Sequence, residues 1–195
     1  MGGLTSVLAP IAFVNENVLR FGRAVGIVAI ALMVIAILIQ VFCRYVLGNA
    51  LPWPDEAARF CMLWMTGLMA PTAFRRGGFV AIDMLQRFLP LIIGQALNIF
   101  LLLISLLVLV VAVSIGWSEV TGFGGKFATA ALYLPTSFGF DEWYRIPRSW
   151  MMASLLVGIV LLISVNVELI LRSVITMAGG GHLLPEIPDA AVGAE

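Results

Sequence analysis

Residues 44–83 read RYVLGNALPWPDEAARFCMLWMTGLMAPTAFRRGGFVAID, and this stretch decides the fold. An apolar run from Ala24 to Cys43 ends at Arg44; PWPDEAARF (52–60) opens a second apolar run, which ends in turn at FRRGGFVAID (74–83). Charged side chains are expensive in hydrocarbon, so Asp55, Glu56, Arg59, Arg75, Arg76 and Asp83 belong at the two ends of the segment they enclose. The pattern is that of a membrane hairpin with polar termini.

The rest of the chain agrees. Of 195 residues, 62% are hydrophobic and 11% charged, and the mean hydropathy is +1.07. No soluble domain of this size hides so much apolar side chain behind its own surface, so the chain is an integral membrane protein surrounded by lipid. Eleven basic and eleven acidic residues cancel, leaving no basic stripe for phosphates, and nucleic acid is excluded as a partner. The first charge is Glu16, so the start lacks the basic region of a secretory signal and is expected to stay in the mature protein. One histidine, His182, lies in a Gly-rich tail, and neither a histidine metal cluster nor a pair of haem ligands can be built from it. No cofactor or metal is expected in this chain. Cys43 and Cys61 stand near the adjoining ends of the first two runs, as a disulfide facing an oxidising compartment or as two small buried apolar side chains.

Four spans are expected. Ala24–Cys43 is the first, since twenty helical residues reach about 30 Å, the hydrocarbon thickness. Before it, Ile11, Val14, Val18 and Phe21 recur at helical spacing among Asn15, Glu16, Asn17, Arg20 and Arg23, the pattern of an amphipathic lead-in at the interface. The second span is 57–74, where Pro71 cannot bond the carbonyl of Gly67, and glycine there leaves room for a neighbour. The third covers 91–117 with Gln95 and Asn98 in its first turns, and the fourth 149–171. Residues 1–175 thus make a single all-α four-helix membrane domain, and 176–195 an expected disordered tail.

The connection from Ser118 to Arg148 carries Phe123, Phe127, Tyr133, Phe138, Phe140, Trp143 and Tyr144, too aromatic for a disordered loop. It is expected to fold onto the membrane surface, with Trp143, Tyr144 and Trp150 in an aromatic belt. Four spans put both termini on one side with Arg20, Arg23, Arg75, Arg76, Arg87 and Arg172; Arg44, Arg59, Lys126, Arg145 and Arg148 lie on the other. Long loops translocate largely regardless of charge, and setting aside Lys126, Arg145 and Arg148 makes the termini cytoplasmic and the long connection periplasmic.

A self-sufficient transporter shows repeats and interrupted helices with binding groups near the midplane. Neither is visible, and the centres of spans one, three and four read as offering no polarity beyond the class of Ser105 or Ser114. A small exporter or channel would need an ionisable group inside the bundle, and Glu56, the closest candidate, begins a helix after Pro52, Trp53 and Pro54. There Asp55 or Glu56 suits the helix N-terminus as capping group or charge, with Arg59 one turn on as a partner. Arg44 stands across the hairpin, and an Arg44–Glu56 pair would fix the angle between helices or present charge to another subunit.

Arg44 at the end of the first span, PWPDEAAR, Trp64 and Gly67 in the second, FRRGGFVAID, Leu89-Pro90 before the third, and ATAALYLP followed by YRIPRSW before the fourth together resemble the small membrane subunit, DctQ type, of tripartite ATP-independent periplasmic (TRAP) transporters. The resemblance covers Arg20 to Arg172. It implies a scaffold without enzymatic activity, partnered by a large membrane subunit that houses a sodium-coupled pathway and by a periplasmic binding protein that delivers an organic acid, in the bacterial inner membrane. It carries assembly roles onto Arg44, Trp53, Glu56, Arg59, Trp64, Gly67, Arg75 and Asp83, while Asp141, Glu142, Arg145 and Arg148 of the long loop become candidates for docking the binding protein. One position departs: Phe79 stands where members often have His four residues before the Asp.

Overall fold

A computed structural model describes residues 2–77, 91–135 and 143–180. Asp83, Arg87, Phe79, Leu89, Pro90, Phe138, Phe140, Asp141, Glu142, His182 and the tail from 181 onward lie outside the described residues. The elements are helices α1 (Gly2–Tyr45), α2 (Trp53–Arg75) and α3 (Leu91–Thr121), a 3₁₀ turn (Phe123–Lys126), strands β1 (Ala128–Pro135) and β2 (Trp143–Pro147), and helix α4 (Ser149–Met177).

Three helical stretches are long and apolar enough to cross a membrane: Leu8–Tyr45, Ile92–Thr121 and Ser149–Met177. They contain the first, third and fourth expected spans. The second expected span lies in α2, which is not one of these three. The lead-in is not a separate interfacial helix, because α1 runs unbroken from Gly2 to Tyr45. Asn15 is buried and Glu16 half-buried, so these two polar positions turn into the bundle, while Asn17 and Arg20 stay exposed. The membrane-embedded part is helical, as expected, and the long connection adds a small hairpin: β1 and β2 pair antiparallel, with Tyr133 opposite Arg145 and an irregularity between Ala128 and Tyr133. The Arg148 N–H donates to Phe127 O at 2.9 Å and closes the unit onto the start of α4.

Lipid is as apolar as leucine, so burial of leucine does not drive these helices together; close packing of small residues and polar contacts must. α1 packs on α2, α2 on α4, and α3 on α4. At the α2–α4 crossing a Cβ on Gly158 would stand 2.8 Å from the Cα of Gly67, and a Cβ on Gly67 would strike the Ser154 carbonyl. Backbone therefore meets backbone there, and α4 is the neighbour for which Gly67 leaves room. At the α1–α2 contact a Cβ on Gly26 would stand 2.7 Å from the Met69 side chain, so the Gly22/Gly26 pair, four residues apart, lets α2 approach. α3 is joined to α4 by polar groups. With its amide oriented as its neighbours require, the fully buried Asn166 donates to Leu102 O (3.2 Å) and accepts from Ser105 Oγ (3.1 Å) and the Leu106 N–H (3.2 Å). Asn98 Nδ2 adds a bond to Ser173 Oγ at 3.1 Å.

Two glycines end elements where only a left-handed backbone serves. Gly48 at φ 64° follows α1, and Gly77 at φ 95° stops α2 just after Arg75-Arg76.

Candidate functional site

The polar groups gather at the two ends of the bundle. At one end Arg75, the last residue of α2, reaches across to both flanking helices. Its Nε lies 3.2 and 3.1 Å from Glu168 Oε1 and Oε2, its Nη2 lies 2.9 Å from Oε1, and its Nη1 bonds Glu16 Oε2. Glu168 is wholly buried and Arg75 nearly so, with side-chain exposures of 0% and 7%. Arg172, one turn along α4, donates Nε–H to Glu168 Oε1 at 3.0 Å, and Asn15 Nδ2 donates to Oε2 at 2.8 Å. The same Asn15 amide accepts from Ser164 Oγ at 2.6 Å. Arg20 and Arg23 stand 3.8 and 3.7 Å from Glu16. One carboxylate thus collects donors from α1, α2 and α4, which is the condition under which a buried charge is tolerated.

At the other end Glu56 accepts from the backbone N–H groups of Ala130 (2.9 Å) and Ala131 on β1. The strand is held to the first turn of α2 by a single carboxylate. Two expectations are corrected here. Among the described residues Arg44 forms no ion pair with Glu56; its guanidinium lies 5.8 Å from the Tyr45 ring centroid instead. Nor do Asp55 and Glu56 cap the free amides of α2: Asp55 accepts from Gln40 Nε2 at 3.4 Å, and Glu56 is turned toward the hairpin. The physical reason is competition, since two adjacent strand N–H groups offer a carboxylate paired donors that a flexible exposed arginine must give up entropy to match.

The remaining candidates scatter. Trp53, 41% exposed, lines an apolar recess with Ala131, Leu132 and Tyr133. Arg59 is exposed and pairs with no described carboxylate. Trp64 contacts the Phe60 ring at 6.3 Å between centroids, and its buried indole N–H finds no acceptor among the described residues. Arg145 lies over the Tyr133 ring at 5.2 Å and donates Nη2–H to Ala130 O at 3.0 Å. Arg148 is exposed at the start of α4, its carbonyl accepting from the Met151 and Met152 N–H groups. Tyr144 and Trp150 are exposed, in keeping with positions in a belt.

Reading the sequence missed Glu168 and Asn166, both inside the fourth apolar run, and the statement that this span lacks strong polarity is corrected by them. The signal was present in SVNVELILR (164–172): an i,i+4 Glu–Arg pair and an asparagine in a run otherwise apolar. Glu16 and Arg75 were visible individually, but their meeting was not.

These features define a membrane helix bundle whose buried charge is consumed by cross-links between its own helices. The chain belongs to the DctQ family: the model for the DctQ component of tripartite ATP-independent periplasmic transporters matches residues 33–176. No curated protein matches it. It is therefore a component of a transport system.

Proposed function

We propose that this chain is the small membrane subunit of a TRAP transporter, an accessory scaffold that braces a large membrane subunit and helps dock a periplasmic binding protein. The family match across 33–176 carries the reading. α2 is the second of four spans: its 23 residues extend about 34 Å, and it reaches from the hairpin-bound Glu56 to the charge cluster at Arg75. The cluster end with both termini lies in the cytoplasm and the hairpin end in the periplasm, on the charge bias of the short connections. Sodium coupling and recognition of the organic acid belong to the partner chains, and this chain holds no cofactor and catalyses no reaction. Arg44, Trp53, Glu56, Arg59, Trp64, Gly67, Arg75 and Asp83 serve assembly, while Asp141, Glu142, Arg145 and Arg148 belong to the docking surface.

Support comes from how Glu168 is used. An intramembrane carboxylate is a transport candidate by default, but this one already accepts from two arginines and an asparagine. Affinity purification of the tagged chain in mild detergent tests the proposal. Co-purification of a much larger membrane protein is expected; a chain that purifies alone and moves organic acids into liposomes refutes the accessory role.

A further inference from the structure

Beside the charge cluster, between the ends of α2, α3 and α4, lies a cleft of about 330 Å³. Its polar lining consists of Arg75, Arg172, Gln95, Asn98, Ser173 and Thr176, and no carboxylate is among its described lining residues. We propose that this cleft binds the phosphate of an anionic phospholipid headgroup.

Three observations carry the proposal. The lining is rich in donors: two guanidinium groups, two carboxamides and the Ser173 hydroxyl converge on a volume large enough for a phosphodiester, the Thr176 hydroxyl being given to Arg172 O. Arg75 is already fixed, because Glu168 holds its Nε and Nη2 and Glu16 holds its Nη1. A guanidinium carries five N–H groups, so one on each terminal nitrogen is left for a further acceptor, without the entropy cost of ordering a free side chain. The place is also right. α2 ends at Arg75, α3 begins at Leu91 and α4 ends at Met177, so the cleft opens at the level where helices leave the hydrocarbon and headgroups begin. With no described carboxylate to receive an ammonium group, the lining suits a headgroup whose phosphate is its sole charge over a zwitterionic one.

The test uses the full-length chain in nanodiscs of phosphatidylglycerol and phosphatidylcholine in equal parts, with native mass spectrometry counting the lipid that stays bound on release. Retained phosphatidylglycerol is expected, with phosphatidylcholine at background. Thr176→Asp places a negative charge at the cleft and disturbs only a bond within α4, from the Thr176 hydroxyl to Arg172 O. It should lower retention at least tenfold, and Gln95→Lys should raise it. Circular dichroism of each variant establishes that it is folded, and Gln95→Lys decides the matter if Thr176→Asp is not. Equal retention of phosphatidylcholine, or retention indifferent to the charge introduced, overturns the proposal. Displacement of the retained lipid by inorganic phosphate alone would assign the cleft to the free anion and overturn the lipid reading.

Discussion

Replacing Arg75 by Ala should weaken the bundle more than loss of any other single arginine among the described residues, because Glu168 behind it is wholly buried. Removing one partner of a buried ion pair costs about 3–5 kcal/mol, most of it the penalty of an uncompensated charge. Glu168 would keep Arg172 at 3.0 Å and Asn15 at 2.8 Å, which places the loss near the lower end, about 3 kcal/mol or two powers of ten in the unfolding constant. Glu16 adds little, since it is 30% exposed and retains Arg20 and Arg23. For a double-mutant cycle, Arg75→Met with Glu168→Met replaces the pair by apolar groups of similar length and should cost much less than Arg75→Met and Glu168→Met added together. Equilibrium unfolding in lipid bicelles, followed by far-UV circular dichroism, gives the four corners of the cycle. A coupling of about 1–3 kcal/mol is expected. Additivity within about 0.5 kcal/mol would refute the reasoning, for it would mean that the two side chains do not depend on each other.

Gly158→Leu should force α2 and α4 apart at Gly67, where a Cβ already has no space; the lost packing, about 1–3 kcal/mol, would appear in the same unfolding assay, and wild-type stability would show that the crossing is not tight. Glu56→Gln keeps the side chain's length but puts an NH2, which cannot accept, in place of one carboxylate oxygen, so one of the two strand hydrogen bonds is lost and the other becomes neutral; the Ala130 and Ala131 amides should exchange hydrogen at least tenfold faster by mass spectrometry while the helical amides do not change, and unaltered exchange would dissociate Glu56 from the hairpin. Reporter fusions address topology: alkaline phosphatase should be active at Gly125 and silent at Met177, and the reverse pattern would invert the orientation. Charge reversal at Asp141, Glu142, Arg145 or Arg148 should reduce binding-protein-dependent uptake at unchanged membrane levels, and full uptake by all four variants would remove the loop from docking.

Length, hydropathy and motif order were enough to locate the apolar helices and the family. Ala24–Cys43, 91–117 and 149–171 all fall inside helices long and apolar enough to span, since a membrane segment is a local property of composition. What escaped was tertiary. ATAALYLP (128–135) lacks strict alternation of polar and apolar residues, so β1 is legible only with β2 beside it and with Glu56 supplying acceptors from a helix 74 residues earlier in the chain. Arg44 and Glu56 looked paired because the hairpin brings them to one end, yet proximity of helix ends does not fix where side chains turn. Glu168 lies inside the expected span 149–171, but its burial depends on donors from α1 and α2, which nothing local to SVNVELILR announces.

The arrangement of charge bears on the accessory role proposed above. An ion relay needs a carboxylate that can lose and regain its partners within the energy of the cycle. Glu168 is held by donors on three separate helices, and releasing it requires those helices to part. The Gly67–Gly158 crossing opposes that motion from the middle of the bundle, because backbones in contact have no side chains to rearrange. α2 and α4 are thereby locked at both levels, with α1 tied to them at the charge cluster. α3 stands apart from that lock: it packs on α4, meets it through Asn98 and Asn166, and presents Phe100, Leu103, Leu107 and Val111 outward. A rigid body with apolar flanks is suited to brace a moving neighbour in the bilayer, and the buried charge serves that rigidity by making separation of the helices costly.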